Sequence, residues 1–110
     1  MMGGMGNMGK MMKNIQKMQE EMGRMEEELA HKTVEATAGG GAVKVVATGK
    51  GQVVRVEIQP EAVDPQELEM LQDLIVAAVN EALRMAQALS SEEMRRITQN
   101  LPLPKLPGLF

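Results

Sequence analysis

The chain has 110 residues, with 12 Lys+Arg against 15 Asp+Glu and a formal net charge of −3, enough for one domain with a modest core and not for two. It contains no Cys, no Trp, no Tyr, one Phe and one His, which excludes disulfides, thiolate nucleophiles, two-His metal motifs and nucleic-acid platforms built on stacked aromatics. The average charge hides a pattern: residues 1–19 carry Lys10, Lys13 and Lys17 and no acid, residues 20–32 hold five Glu against Arg24 and Lys32, and residues 61–89 hold six acids against Arg84.

The first ten residues include four Gly and read as a flexible start over 1–7. From there Met8, Met11, Ile15, Met18, Met22, Met25 and Leu29 alternate spacings of three and four, the apolar seam of a helix that packs along a partner helix. That helix is expected over about residues 8–31, with Glu20–Arg24 and Glu28–Lys32 as i,i+4 pairs on its polar side and Gly23 at an exposed position. Three strands follow. Thr33–Ala38 alternates Val34, Ala36 and Ala38 with polar residues, and Gly39, Gly40 and Gly41 make a turn. Residues 42–48 place Val43, Val45 and Ala47 on one face, and Gly49, Lys50 and Gly51 make a second tight turn. Residues 52–59 set Val54, Val56 and Ile58 against Val53, Arg55 and Glu57, and Pro60 ends the run. This is an antiparallel meander with one apolar face.

Asp64, Pro65 and Glu67 form a helix start, with a cap, a proline suited to the first helical position and a capping-box acid. Leu68, Leu71, Ile75, Ala78, Val79, Ala82, Met85, Ala86 and Leu89 then recur at helical spacing and are expected to cover the sheet. Ser90, Ser91, Glu92 and Glu93 repeat the capping signal and predict a new, short helix through about Gln99. The end, LPLPKLPGLF, has three Pro and reads as an extended tail over 101–110. The expected class is therefore α+β within a single domain spanning 1–110: a long N-terminal helix, a three-stranded meander, a second long helix, a short C-terminal helix and a Pro-rich tail.

No set of residues has the makings of an active site. His31 stands alone at a helix end, with no Cys in the chain and no nearby Ser to activate, and the carboxylates read as solvated helix faces. The Gly-Lys-Gly at 49–51 lacks the upstream glycine and following Ser/Thr of a phosphate loop and joins two strands. Met2, Met5, Met8 and Met11 have a spacing open to a soft metal such as Cu(I), but Met8 and Met11 also begin a seam that runs on through Ile15 and Leu29, so packing accounts for the whole series. The expectation is a protein with no enzymatic activity, cofactor, metal or small-molecule substrate. No run approaches 18 apolar residues and the opening residues lack the layout of a secretory signal, so a cytoplasmic protein without a membrane partner is expected. A Met-rich surface adapts to varied apolar partners, which leaves a peptide-binding or holdase-type module as the alternative to the reading below.

Lys10 and Lys13 have no carboxylate within four residues on either side and lie on the helix face away from the Met seam, an arrangement suited to phosphate contact. Lys17 has Glu20 and Glu21 within reach, Arg95 and Arg96 are offset by Glu92 and Glu93, and Lys50 stands at a hairpin tip. The ranking for nucleic-acid contact is thus Lys10 and Lys13 first, Lys17, Arg95 and Arg96 second, and Lys50 last. Met11, Ile15, Met18, Met22, Met25 and Leu29 form the helix or dimer seam. The open edges of a three-stranded sheet and an unpaired heptad seam both call for a second copy.

The order of MGKMMKNIQKMQEEMGRMEEEL, GGGAVKVVATGKGQVVRVEIQP, ELEMLQDLIVAAVNEAL and the closing LPKLPGLF resembles the YbaB/EbfC family of small bacterial nucleoid-associated DNA-binding proteins. The resemblance covers nearly the whole chain from about Gly6, and the charged stretch 90–99 departs from it where the family often has glycine. It implies a homodimer with paired sheets at its centre and helical arms projecting like tweezers. It also implies binding of double-stranded DNA with little sequence preference, a place in the nucleoid, and a role in nucleoid organisation and gene regulation.

Overall fold

The computed structural model describes residues 2–100, with side chains over 8–99; the tail expected at 101–110 lies outside the described residues. The elements are α1 (Met2–His31), β1 (Thr33–Ala38), β2 (Val43–Thr48), β3 (Val53–Ile58), two 3-10 turns (Pro60–Ala62 and Pro65–Glu67) and α2 (Leu68–Asn100). The sheet is antiparallel in the order β1-β2-β3, and the strand boundaries fall within one residue of those expected. α1 is longer than expected. Its backbone is helical from Met2, because extending a helix already nucleated forms one hydrogen bond per residue fixed, against about 1 kcal/mol for each Gly relative to Ala.

The core lies between α2 and two of the three strands. Ala36, Val43, Val45 and Ala47 meet Leu71, Ala78 and Ala82, all buried, with Val34, Ala38, Leu74, Ile75, Val79 and Met85 around them. Small side chains on α2 bring the helix axis close to the sheet, and Val43, Val45, Ala47, Ala78 and Ala82 are fully shielded from solvent. The expected coverage of the whole apolar face is not reached. α2 lies over β1 and β2, and every residue of β3 is exposed. The register explains part of this. Val43 pairs with Ile58, Val45 with Val56 and Val46 with Arg55, but Ala47 pairs with Val53, leaving Val54 as a bulge residue. Val53, rather than the expected Val54, therefore shares the face of Val56 and Ile58.

α2 begins as expected at its cap, where the Asp64 carboxylate accepts a hydrogen bond from the Gln66 N–H at 3.0 Å, although its first turn is 3-10. It does not restart at Ser90. A single helix of 33 residues runs to Asn100, so the short C-terminal helix expected at 90–99 is the distal end of α2. The local capping signal is overridden by packing: Ile97, with Leu89 and Met94 beside it, joins Met25 and Leu29 of α1 in a second buried cluster.

The joint between sheet and helices is made at Gly49. Its N–H donates to the carbonyls of Leu29 at 3.0 Å and Lys32 at 2.9 Å, satisfying the end of α1. A Cβ at Gly49 would stand 2.7 Å from Leu29 Cδ2 and 3.1 Å from Leu29 O, so a larger residue requires the buried Leu29 side chain to move and its carbonyl to give way. Gly51 completes the turn at φ 85°, and its N–H donates to the Thr48 carbonyl at 2.9 Å. From this joint α2 runs back along α1 for part of its length only. The molecule is drawn out to 78 × 28 × 15 Å with a radius of gyration of 21.2 Å, against about 13 Å for a compact chain of this size.

Candidate nucleic-acid interface

The seam of α1 divides in two. Met25 and Leu29 are buried on α2 and Met18 and Met22 are half-buried, whereas Met8, Met11 and Ile15 are 64%, 53% and 52% exposed. Among the described residues no other element joins Met8, Met11 or Ile15 in a buried cluster, and the roughly 16 residues before Met18 extend about 24 Å along the axis. This arm carries Lys10, Lys13 and Lys17. The three side chains are exposed and lie within one narrow sector at about 100° per residue, turned away from the Met seam. They span about 10 Å along the axis, comparable to three phosphate steps of about 3.4 Å on one DNA strand.

Among the described residues no carboxylate stands within ion-pair distance of any of these three lysines. For Lys17 this departs from the sequence expectation. Glu21 is bonded to Arg24 at 2.8 Å instead, which also replaces the expected Glu20–Arg24 pair. The expected Glu28–Lys32 pair is likewise replaced, because Lys32 reaches Glu93 of α2 at 3.1 Å.

The other basic candidates are committed or remote. The Arg95 guanidinium grips the Glu92 carboxylate with two nitrogens, and Arg96 reaches Glu93 at 3.3 Å. The hydrogen bond from Arg95 holds the Glu92 carboxyl below the usual carboxylate range, with the nearby charges of Arg95 and Arg96 adding to it. The same bond raises Arg95. Glu81 and Arg84 repeat the arrangement one stretch earlier on α2, with Glu81 lowered chiefly by the hydrogen bond from Arg84. Lys50 is exposed at the hairpin tip beside the end of α1. That places it about 28 Å along the helix from Lys10, outside the cluster on the arm. The structure therefore brings Lys10, Lys13 and Lys17 together on one side of α1, places Arg96, bonded to Glu93, in the same cleft as Lys17, and leaves Lys50 remote from them.

A small α+β chain with a basic helical arm and an acidic body has the build of a nucleic-acid-binding protein that works through local charge. Comparison with known proteins identifies which. The sequence profile of the YbaB/EbfC DNA-binding family matches residues 5–101, and the chain belongs to that family. It is 63% identical over 110 residues, the full length of both, to a nucleoid-associated protein of Pelotomaculum thermopropionicum. It is 54% identical over 110 residues to one of Bacillus thuringiensis, covering all of this chain and 99% of the relative. The crystal structure of an uncharacterized protein from Helicobacter pylori has the same fold, with a TM-score of 0.62 and 22% identity over 78% of this chain and 86% of that one.

Proposed function

We propose that this chain is a nucleoid-associated protein that binds double-stranded DNA as a homodimer, with little sequence preference, through phosphate contacts from Lys10, Lys13 and Lys17 on the α1 arm, and that it serves nucleoid organisation and gene regulation. The observation that carries the reading is the lysine sector itself: three exposed cations on one side of a projecting helix, none of them in an ion pair among the described residues. Contacts of this kind fix position on the duplex without reading bases. The groups suited to reading base edges in the grooves, above all paired Arg, are here tied to Glu92 and Glu93.

Dimerisation is supported by β3. It is an edge strand, its backbone groups have no neighbour on one side, and Val53, Val56 and Ile58 extend the core face past the edge of α2. A second β3 set beside it would continue the sheet and flank those side chains with their counterparts, and would double the number of basic arms. Proteins with homologous sequence are named for the nucleoid, and the acidic body explains how DNA binding is confined to the arms in a chain of net charge −3.

The test is a gel-shift salt series on several unrelated duplexes together with light scattering on a sizing column. The expected result is a complex that weakens steeply with salt, varies little with sequence and forms from a particle of twice the 12.0 kDa chain mass. A stable monomer at micromolar concentration overturns the dimer, and a preference for one site of more than about 10³-fold overturns the non-specific mode.

A further inference from the structure

The side of α1 that carries the lysine sector continues past Lys17. Lys10, Lys17, Glu21, Glu28 and Lys32 recur at spacings of seven and four, which sets them on one stripe of the helix. Lys32 still belongs to it, because its N–H donates to the Glu28 carbonyl at 2.9 Å. The last four of these residues line a cleft of about 420 Å³ that Glu93 and Arg96 of α2 line from the other side. Lys32 lies about 22 Å beyond Lys17 along the axis, and a duplex is straight over such a length. In this cleft the three cations Lys17, Lys32 and Arg96 face the three carboxylates of Glu21, Glu28 and Glu93, so the positive charge of the arm is cancelled where the cleft begins.

The carboxylates are not equivalent. Glu21 is bonded to Arg24 on its own helix. Glu93 instead gathers two cations on one oxygen: its Oε1 accepts from Lys32 Nζ at 3.1 Å and from Arg96 Nη1 at 3.3 Å. Its side chain is 13% exposed, while Lys32 and Arg96 are 45% and 64% exposed. The neighbouring Glu92–Arg95 pair lies open on α2 and reaches no other element. Among the described residues Lys32–Glu93 is the one ion pair that joins the end of α1 to α2. A largely covered carboxylate is screened by salt less than an exposed one, so its hold on the two cations persists where surface pairs fade. Carboxylate and phosphate oxygens accept the same charge-assisted hydrogen bonds from Lys and Arg, and a cation held by one is drawn away from the other.

We propose that Glu93 is an internal counter-charge standing where a DNA phosphate would otherwise stand: it occupies Lys32 and Arg96 and so ends the basic track of each arm at Lys17. The ligand it excludes is the phosphodiester backbone of a duplex, and its effect is to hold the number of phosphates engaged per chain at the three set by Lys10, Lys13 and Lys17. This inference rests on the proposed phosphate contact of the arm and adds to it the residue that limits its extent.

Glu93→Gln in the full chain keeps the size of the side chain and an acceptor oxygen and removes the charge. In a salt series with an end-labelled duplex of arbitrary sequence, it is expected to gain two phosphate contacts per chain. The log–log slope then steepens by about 1.8 per chain, at about 0.9 per contact, and binding at about 100 mM salt tightens by roughly tenfold or more. Lys32→Gln/Arg96→Gln with Glu93 intact is expected to keep the parental slope, and the same pair added to Glu93→Gln to return the slope to the parental value. A role confined to clasping the helices would lower the unfolding midpoint of Glu93→Gln and leave its slope parental, which overturns the assignment. So does a shallower slope in Lys32→Gln/Arg96→Gln, which would place the two cations on DNA already and can be read even if Glu93→Gln fails to fold. A parent without salt-dependent binding overturns the reading of the arm and the counter-charge with it, whereas a steep parental slope unchanged in Glu93→Gln overturns the counter-charge alone.

Discussion

Neutralising the arm is the sharpest test of the proposed DNA contact. Lys10→Gln/Lys13→Gln removes two of three cations from each arm while leaving the seam side chains and the Met25–Leu29–Ile97 cluster in place. A dimer with both arms engaged makes six lysine–phosphate contacts, and a slope of about −0.9 per contact gives a log–log salt dependence of about −5. Raising salt from about 50 to about 200 mM should then weaken the parent by roughly 10³-fold. The double variant keeps one lysine per arm, the slope falls to about −2, and the same salt change should cost only about tenfold. At about 100 mM salt the variant should bind at least tenfold more weakly than the parent, about 1.4 kcal/mol. Fluorescence anisotropy on an end-labelled duplex over a salt series measures slope and affinity together, and thermal unfolding monitors the fold. A variant that retains the parental slope would refute contact through these lysines even with the family membership intact.

Other outcomes follow from the packing. Gly49→Ala should destabilise by about 1–3 kcal/mol in urea unfolding, because its methyl meets Leu29 Cδ2 at 2.7 Å and the helix carbonyl at 3.1 Å. Gly23→Ala should stabilise by about 1 kcal/mol, since nothing lies within 4 Å of the added carbon. Met25→Asp should lower the unfolding midpoint sharply and Met8→Asp little, because Met25 is buried in the helix–helix cluster and Met8 is exposed. In an NMR titration Glu81 and Glu92 should ionise below the usual carboxylate range and return towards it in Arg84→Ala and Arg95→Ala. Because their folded values are lowered, the stabilisation from these pairs is present above the unfolded carboxylate value and fades as pH falls through the folded one.

The parts of the fold legible in the sequence are those where a local signal and the tertiary result agree. Period-two alternation between glycine turns placed all three strands, and Asp64 followed by Pro65 marked the approach to α2. The parts that were not legible depend on partners distant in sequence. Ser90, Ser91, Glu92 and Glu93 carry a sound capping signal, but nothing local shows that Ile97 will meet Met25. The bulge at Val54 leaves the run of 52–59 unchanged in composition, so the exchange of Val53 for Val54 on the core face is invisible until β2 fixes the register. The width of the cover is also non-local, since the seam of α2 reads the same whether it spans two strands or three. At the interface, the isolation of Lys10 and Lys13 from acids was readable from spacing alone. The release of Lys17 was not, because it required knowing that Glu21 turns to Arg24.

Ala78, Ala82 and Ala86 form a ridge of minimal side chains on which α2 rests, all 0–1% exposed. Along that ridge only methyl groups stand on the helix side, so the closest approach of α2 to the sheet is set there, with the larger Leu71, Ile75 and Val79 packed around it. Asn100 lies 18 residues past Ala82, about 27 Å along an uninterrupted axis. A change in inclination of about 5° at the ridge displaces that end by about 2 Å over this length. Since α1 is clasped against the same distal stretch as well as being tied at Gly49, the bearing of the lysine arm depends on alanines that lie nowhere near it. The smallest side chains in the core thus act as the fulcrum of the longest lever in the molecule.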